Sequence, residues 1–454
     1  MAKTRGAGKT NGQSSIKGIT RVTVCGYKSI SHEQSIDIRP LTILAGANSS
    51  GKSSMMQPLL LMKQTLEASY DPGPLLLDGP NVRFTSVDQL LSRRAKDECG
   101  RGFYFGIQSE GSFSLTIHLA ISGNHRLTTP QMDLESPTQK IVLRSDMEHE
   151  EISSMLPSYL ADLSNIFSRD KGTLYQWVVV RNRCFLELTF QDKKGKSIFP
   201  PGVAVLPEMQ NEEIERYVSE LVHLPGLRGN PARTYPLTAV GPTFPGTFEN
   251  YAATVIARWQ EDRNTGKLDQ LSRDLERLNL TWKVSAKPIN DTQVEIKVGR
   301  LPHCAKGGSR DMVSIADVGF GVSQTLPVLV ALLVAKPGQM VYLEQPEIHL
   351  HPRAQFALAQ VLADAARRGV RVVVETHSSL VLLGVQALVA GNELSPSLVK
   401  LHWFRRDDDG STEVRSADLD DAGAFGDWPE DFDDVVLDAQ SRYLDAAESR
   451  IQGV

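Results

Sequence analysis

The segment Gly46-Ala47-Asn48-Ser49-Ser50-Gly51-Lys52-Ser53 restricts this chain more than any other stretch. Gly, four residues, then Gly-Lys-Ser is the spacing of a loop whose backbone N–H groups point inward at phosphate oxygens. The pattern carries meaning only between a strand and a helix. Ile36 to Leu44 holds two β-rich runs, and Ser54 to Glu67 carries Leu59, Leu60, Leu61 and Leu66 on residues that favour helix. Pro58 is expected near the first turn of that helix, where proline is tolerated. In such a loop Lys52 reaches the β- and γ-phosphates, the Ser53 hydroxyl coordinates Mg²⁺, and Ser54 follows at the helix N-terminus. A shorter match, Gly6 to Thr10, has Lys3 where the first glycine belongs and no preceding strand, so residues 1–17 read as a disordered tail.

With 454 residues the chain can bury a large core, and two lobes are expected rather than one unit. A formal net charge of −5 argues against nonspecific nucleic-acid binding over the whole surface, although it leaves room for a local basic channel. Cys25, Cys99, Cys184 and Cys304 have no paired spacing, which suggests neither a zinc site nor a disulfide framework and fits a reducing cytoplasm. The N-terminus lacks the apolar region of a signal peptide. The apolar run Leu326 to Ala335 is far short of the roughly twenty residues that span a bilayer, so no membrane association is expected.

Along the middle of the chain, strands are expected at Ile19 to Ile30, Phe103 to Ile107, Ser112 to Ile121, Trp177 to Val180 and Cys184 to Phe190. Helices are expected at Glu150 to Phe167, Glu212 to Val222, Thr247 to Arg263 and Lys267 to Leu278, followed by strands near Leu280 to Val284 and Val294 to Val298. The stretch Leu224 to Pro245 reads as turns. No heptad run is long enough for an extended coiled coil, and no internal repeat is found.

A second block, Asp317 to Ser378, holds further chemistry. Val318 to Gln324 is a glycine-bearing turn that runs into an apolar helix from Thr325 to Val334, with Pro327 in its first turn. Gly321, Ser323 and Gln324 thus lie where backbone N–H groups and a hydroxyl make an anion site. Met340 to Glu344 is an apolar strand ending in a carboxylate, as in a Walker B element that helps hold Mg²⁺. Val370 to Val374 is another strand, and His377 just past it is within reach of a γ-phosphate.

In this order the phosphate loop, glycine-serine-glutamine turn, Walker B strand and histidine resemble an AAA-family, ABC-type ATPase head similar to those of SMC, RecN and OLD proteins. "LTILAGANSSGKSSMMQPLLL", "ADVGFGVSQTLPVL", "YLEQPEIHLHPRAQ" and "ETHSSLVLL" more closely resemble ATPases of bacterial anti-phage defence systems, such as the ATPase subunit of Septu and of some retron systems. The middle of the chain, roughly 100–302, carries the resemblance mainly through "RGNPARTYPLTAVGPTFPGTFENYAA".

The resemblance implies an α/β fold: an ABC-type P-loop head with an antiparallel β-rich subdomain and a mixed α/β insertion. The expected parts are the head halves 18–145 and 301–400, the insertion 146–300, and a C-terminal hairpin with an acidic helical extension over 401–454. It also implies ATP and Mg²⁺ as ligands. Phe320 to Gln324 would serve as the signature, with Ser323 reaching the γ-phosphate bound by another subunit. His377 would be the switch histidine, Leu350-His351-Pro352 the D-loop region, and Gln89 the Q-loop residue near the metal. The departure is Glu344-Gln345 where an Asp-Glu pair is usual. Glutamine orients water but takes no proton from it, and a general base contributes about 10²- to 10⁴-fold, so slow hydrolysis is expected unless Glu347 or His377 assists.

Plainer readings stand beside these. His349 and His351 read as loop structure, and Glu347 reads equally as an acid at a helix N-terminus. Asp407 to Gly410 reads as a hairpin turn between Leu401 to Phe404 and Thr412 to Val414, and the acidic run Asp427 to Asp438 as a solvated or docking face. Arg228 and Arg233 are candidates to bind phosphate or nucleic acid, and surface salt bridges are their plainer use. Beyond Leu380 no strand ends in the Asp-x-Asp pair of a TOPRIM nuclease.

The expectation is a cytoplasmic, nucleotide-gated sensor or scaffold of a defence complex. It would form a dimer or higher oligomer through composite ATP sites, control a separate nuclease effector, and have DNA or a phage component as a further candidate ligand. The alternative is an SMC- or RecN-like ATPase that clamps DNA, and a second alternative is a structural assembly protein that binds ATP without turnover.

Overall fold

Two strands, Leu41–Gly46 and Arg371–Thr376, are buried along their whole length. Burial on both faces belongs to the centre of a parallel sheet covered on each side. The structure is a computed structural model that describes residues 17–94, 101–111, 113–123, 126–157, 160, 175–198, 211–238, 241, 243–303, 311–426, 441 and 444. In it, these two strands pair in a six-stranded sheet ordered Val222–Leu224, Met340–Glu344, Arg371–Thr376, Leu41–Gly46, Val399–Arg406, Thr412–Ala417. All pairs are parallel except the last, an antiparallel hairpin.

Alternation along these strands divides the interior into two cores. Leu41, Ile43, Val341, Leu343, Val372 and Val374 join one with the helices Ala252–Glu261, Thr265–Arg277, Phe320–Val334, Pro352–Arg367 and Ser379–Ala390. Leu44, Met340, Tyr342 and Val373 face the other, shared with the helix Lys52–Glu67 and a second sheet. That second sheet is antiparallel, ordered Gln34–Asp37, Ile19–Cys25, Gly102–Ser109, Ser114–Ile121, Leu127–Glu135, Lys140–Arg144. A small sheet around Gln293–Gly299 and the hairpin Tyr175–Asn182 with Phe185–Asp192 complete the β-structure among the described residues. The fold is thus α/β, a P-loop sheet with an antiparallel β-rich subdomain. Among the described residues no helix is long and apolar enough to cross a membrane.

Several boundaries differ from the sequence reading. The run Ile36 to Leu44 splits at Arg39-Pro40. Gln34–Asp37 pairs in the antiparallel sheet and Leu41–Gly46 in the parallel one, because proline has no N–H to continue a ladder. The helix expected to reach Val222 ends at Ser219, and Val222–Leu224 pairs with Val341 to Leu343. Residues 222–224, assigned to the insertion by sequence, therefore belong to the head sheet; three residues before a proline are too few to show a strand period. The helix expected from Thr325 begins at Phe320, so Pro327 lies inside it, as Pro58 lies inside Lys52–Glu67. Each proline removes one intrahelical hydrogen bond, and burial of the surrounding turns outweighs that loss. The helix expected over Glu150 to Phe167 is described over His149–Met155. The tail 1–16, Cys99, Cys304 and the acidic run 427–438 lie outside the described residues.

The Val399–Arg406 strand carries a pH-sensitive contact. His402 is fully buried, with Nε2 2.9 Å from the Asp37 carbonyl and Nδ1 2.7 Å from Ser416 Oγ. Burial pulls its pKa down to about 4. The native state keeps the ring neutral while the unfolded chain protonates it below about 6.5, so stability is lost as pH falls from 6.5 towards 4. The full loss is about 3 kcal/mol. Denaturant midpoints measured across that window should fall with pH, and His402→Gln should flatten the slope.

Candidate nucleotide site

The parallel strand Leu41–Gly46 ends where the phosphate pattern begins, and the helix starts at Lys52. The turn between them passes through left-handed backbone at Ser49 (φ 61°) and Gly51 (φ 107°), with Gly46 at φ 142°. A Cβ on Gly46 would lie 2.2 Å from the Phe404 carbonyl oxygen, and one on Gly51 2.3 Å from Thr412 Oγ1. Both glycines are therefore required by the hairpin that packs over the loop. Thr412 Oγ1 donates to the Ser50 carbonyl (2.8 Å) and Arg406 Nη1 to the Ser49 carbonyl (3.2 Å).

Lys52 is buried and folds back on its own loop, its Nζ donating to the carbonyls of Gly46 (2.9 Å) and Ala47 (2.8 Å). Burial pulls the ammonium down to about 8, with the Glu375 and Glu347 carboxylates pulling the other way. The loop opens on a cavity of about 760 Å³. Of the residues singled out in the sequence, Asn48 to Ser54, Gln89, Gln345, His377 and the hairpin-turn residues Asp409 and Gly410 line it, whereas Gly46, Ala47 and Glu344 are not on its wall. Gln89 bonds within its own turn, accepting from the Thr85 N–H (2.9 Å) and donating to Thr85 Oγ1 (3.1 Å).

Glu375 is the residue that sequence reasoning passed over. It sits at the end of Arg371–Thr376, fully buried at the cavity wall. Ser53 Oγ donates to its Oε2 at 2.8 Å, and the Tyr342 hydroxyl donates to its Oε1. Burial and the nearby Glu344 charge push its pKa up to about 7 against the pull of Tyr342, Ser53 and Lys52. The pointer available in the sequence was its place at a strand end directly before Thr376-His377.

Glu344 turns towards the neighbouring strand. His223 Nε2 lies 3.1 Å from its Oε1, and the Gly226 N–H donates to its Oε2 at 3.1 Å. Burial works to raise its pKa, but His223, Gly226 and the Arg228 charge outweigh that and hold it below the usual carboxylate value. Arg228 is buried and donates to the carbonyls of Glu344 (2.8 Å) and Gln324 (3.3 Å), which corrects its reading as a surface residue. Arg233 does make a surface pair, with Asp317 at 2.8 Å.

Glu347 is buried and accepts from Thr376 Oγ1 (2.7 Å) and the His377 N–H (2.9 Å). It does not cap a helix: the helix Pro352–Arg367 is capped by His351, whose side chain accepts from the Arg353 N–H. Glu347 instead fixes the segment that bears His377. Burial and the Lys52 charge lower the pKa of His377, while a hydrogen bond to the Gly46 carbonyl opposes them. Gln345 occupies left-handed backbone (φ 45°), and its N–H donates to the Glu375 carbonyl at 2.9 Å. Such strain in a non-glycine residue concentrates at functional sites.

Gly321, Ser323 and Gln324 do not line the cavity. Ser323 Oγ donates to the Phe320 carbonyl (3.1 Å), Gln324 Nε2 to the Gly229 carbonyl (2.7 Å), and Phe320 stands half exposed beside the His349 ring. Among the described residues no group of three or more His, Cys, Asp or Glu could hold a metal ion. A hard cation fits beside the loop all the same. The Ser53 hydroxyl hydrogen-bonded to a buried carboxylate, at a wall shared with a phosphate cradle, is an oxygen donor set of the kind Mg²⁺ takes together with nucleotide oxygens.

Residues 305–383 match the family described as "AAA domain, putative AbiEii toxin, Type IV TA system", a span that includes Ser323, Glu344, Gln345 and His377. Among solved structures, the chain is similar to the SMC head bound to the C-winged helix domain of ScpA, at 12% identity, covering 89% of this chain and 99% of that one, with a TM-score of 0.46. It is similar to the SMC head domain from Thermotoga maritima at 10% identity, 88% and 98% coverage and a TM-score of 0.38. The Smc head with an extended coiled coil bound to the C-terminal domain of ScpA, derived from Pyrococcus furiosus, matches at 11% identity, 88% and 96% coverage and a TM-score of 0.43. The matched segment includes Arg371–Thr376, which the parallel sheet pairs with the strand Leu41–Gly46 leading into the loop.

Proposed function

We propose that this chain binds ATP with Mg²⁺, hydrolyses it slowly, and acts as the nucleotide-gated sensor or scaffold of a cytoplasmic anti-phage defence complex that controls a separate nuclease effector. The observation that carries the nucleotide reading is the cavity in which Lys52, Ser53, Gln345, Glu375 and His377 meet, although 322 residues of chain separate Ser53 from Glu375. The loop amides and the helix N-terminus hold the phosphates, and Lys52 leaves its carbonyl partners to meet the β- and γ-oxygens. Bound Mg²⁺ supplies neutralisation of the charge that develops on those oxygens. Ser53 and a strand-end carboxylate would hold it, at the cavity wall that Gln89 also lines. Gln345 orients the attacking water without accepting its proton, and His377 faces the γ-phosphate.

The site is completed by a second copy. Gly321, Ser323 and Gln324 sit apart from their own cavity, at the start of the helix whose Phe320 is exposed. A γ-phosphate gripped by Ser323 of another subunit closes a dimer that hydrolysis releases. The defence assignment rests on the sequence resemblance.

Light scattering of the purified chain with and without ATP, alongside affinity capture from its native cells, tests this reading. ATP-dependent dimerisation together with a copurifying nuclease is the expected result. Duplex DNA binding that weakens steeply with salt, with no nuclease captured, would favour the DNA clamp.

A further inference from the structure

We infer that Glu375, and not the strand-terminal Glu344, is the carboxylate that receives the divalent cation; the inference rests on the nucleotide reading above and assigns the metal seat within it. Strand order is the first reason. Glu344, Glu375 and Leu44 are in register across three neighbouring parallel strands, and the loop follows Leu44 by two residues. Neighbouring strands lie about 4.8 Å apart, so Glu375 stands one strand from the loop and Glu344 two.

The second reason is what each carboxylate already holds. Both oxygens of Glu344 are engaged on the far side, by His223 Nε2 at 3.1 Å and the Gly226 N–H at 3.1 Å. His223 is itself fixed, 3.1 Å from Asn81 Oδ1 and stacked on Tyr342 at 5.4 Å with the rings 13° apart. To meet a cation beside Ser53, Glu344 would have to abandon this whole chain of contacts. Glu375 has Oε1 held by Tyr342 and Oε2 already 2.8 Å from Ser53 Oγ, on the cavity wall. A hydroxyl and a carboxylate at that separation become two ligands of one hard cation with little movement. Glu344 is then a positioning residue that ties the Gly226 turn to the sheet.

The test uses the full chain with Mn²⁺ as the probe, read as loss of the free-ion electron paramagnetic resonance signal in the presence of ATP. ATP affinity is measured in parallel in EDTA. Glu375→Gln should weaken Mn²⁺ binding about a hundredfold and Glu344→Gln no more than about tenfold, the span seen when partners around a metal are removed. ATP affinity in EDTA reports separately on the phosphate cradle, and a loss of Mn²⁺ binding in Glu375→Gln larger than any change in ATP affinity in EDTA is the expected result. Glu375→Asp, which draws the carboxylate back from Ser53 while keeping its charge, should also weaken Mn²⁺ and stands in should the glutamine variant fail to fold. Stronger Mn²⁺ loss in Glu344→Gln than in Glu375→Gln, or full affinity in Glu375→Asp, overturns the assignment alone. Wild type that binds no ATP in either condition overturns the nucleotide reading and this inference with it.

Discussion

Gln345→Glu should raise the steady-state rate of ATP hydrolysis by about 10²- to 10⁴-fold, the contribution of a general base. The side chain at this position lines the cavity, and its backbone is anchored by the N–H bond to the Glu375 carbonyl. Glutamate is isosteric with glutamine, and the left-handed backbone at this position burdens both alike, so only the proton-accepting power changes. Phosphate release measured with Lys52→Ala as the blank checks this. A Gln345→Glu rate equal to wild type would mean that another group, Glu347 or His377 among those considered, already serves as the base.

Gly46→Ala should destabilise the protein by roughly 3 to 5 kcal/mol and remove nucleotide binding, by adding backbone strain to an overpacked contact. The methyl would meet the Phe404 carbonyl oxygen at 2.2 Å and Ser50 Oγ at 3.0 Å. The Phe404 carbonyl cannot retreat cheaply, because Phe404 pairs with Gly46 in the sheet. Chemical denaturation checks the size of the loss. A midpoint unchanged from wild type would show that the hairpin does not press on the loop.

These two variants also show which parts of the site can be read from sequence. The phosphate loop was legible because its chemistry is local: eight consecutive residues carry the glycines, the lysine and the hydroxyl, with a strand and a helix on either side. Met340–Glu344 and the segment ending at His377 were legible as apolar strands with polar ends. What was hidden depends on register. Nothing local says that Val222–Leu224 joins the sheet, that Glu344 faces His223 across it, or that Glu375 lands on Ser53. Arg406 and Thr412 escaped notice for the same reason, since their contacts to the loop span more than 350 residues of sequence. Arg228 was taken for a surface residue because charged residues are ordinarily exposed, whereas it is buried against backbone carbonyls to which it donates; of the two readings of Glu347, the helix N-terminal one fails because its carboxylate accepts from the His377 N–H instead.

The central claim, that the cavity at Gly46 to Ser53 is a nucleotide site, is tested most directly by titration calorimetry of ATP into the purified chain, with Lys52→Ala alongside. Saturable binding of ATP by wild type, lost in Lys52→Ala while the variant keeps its fold, is the predicted result. No binding by wild type, or equal binding by both proteins, would contradict it.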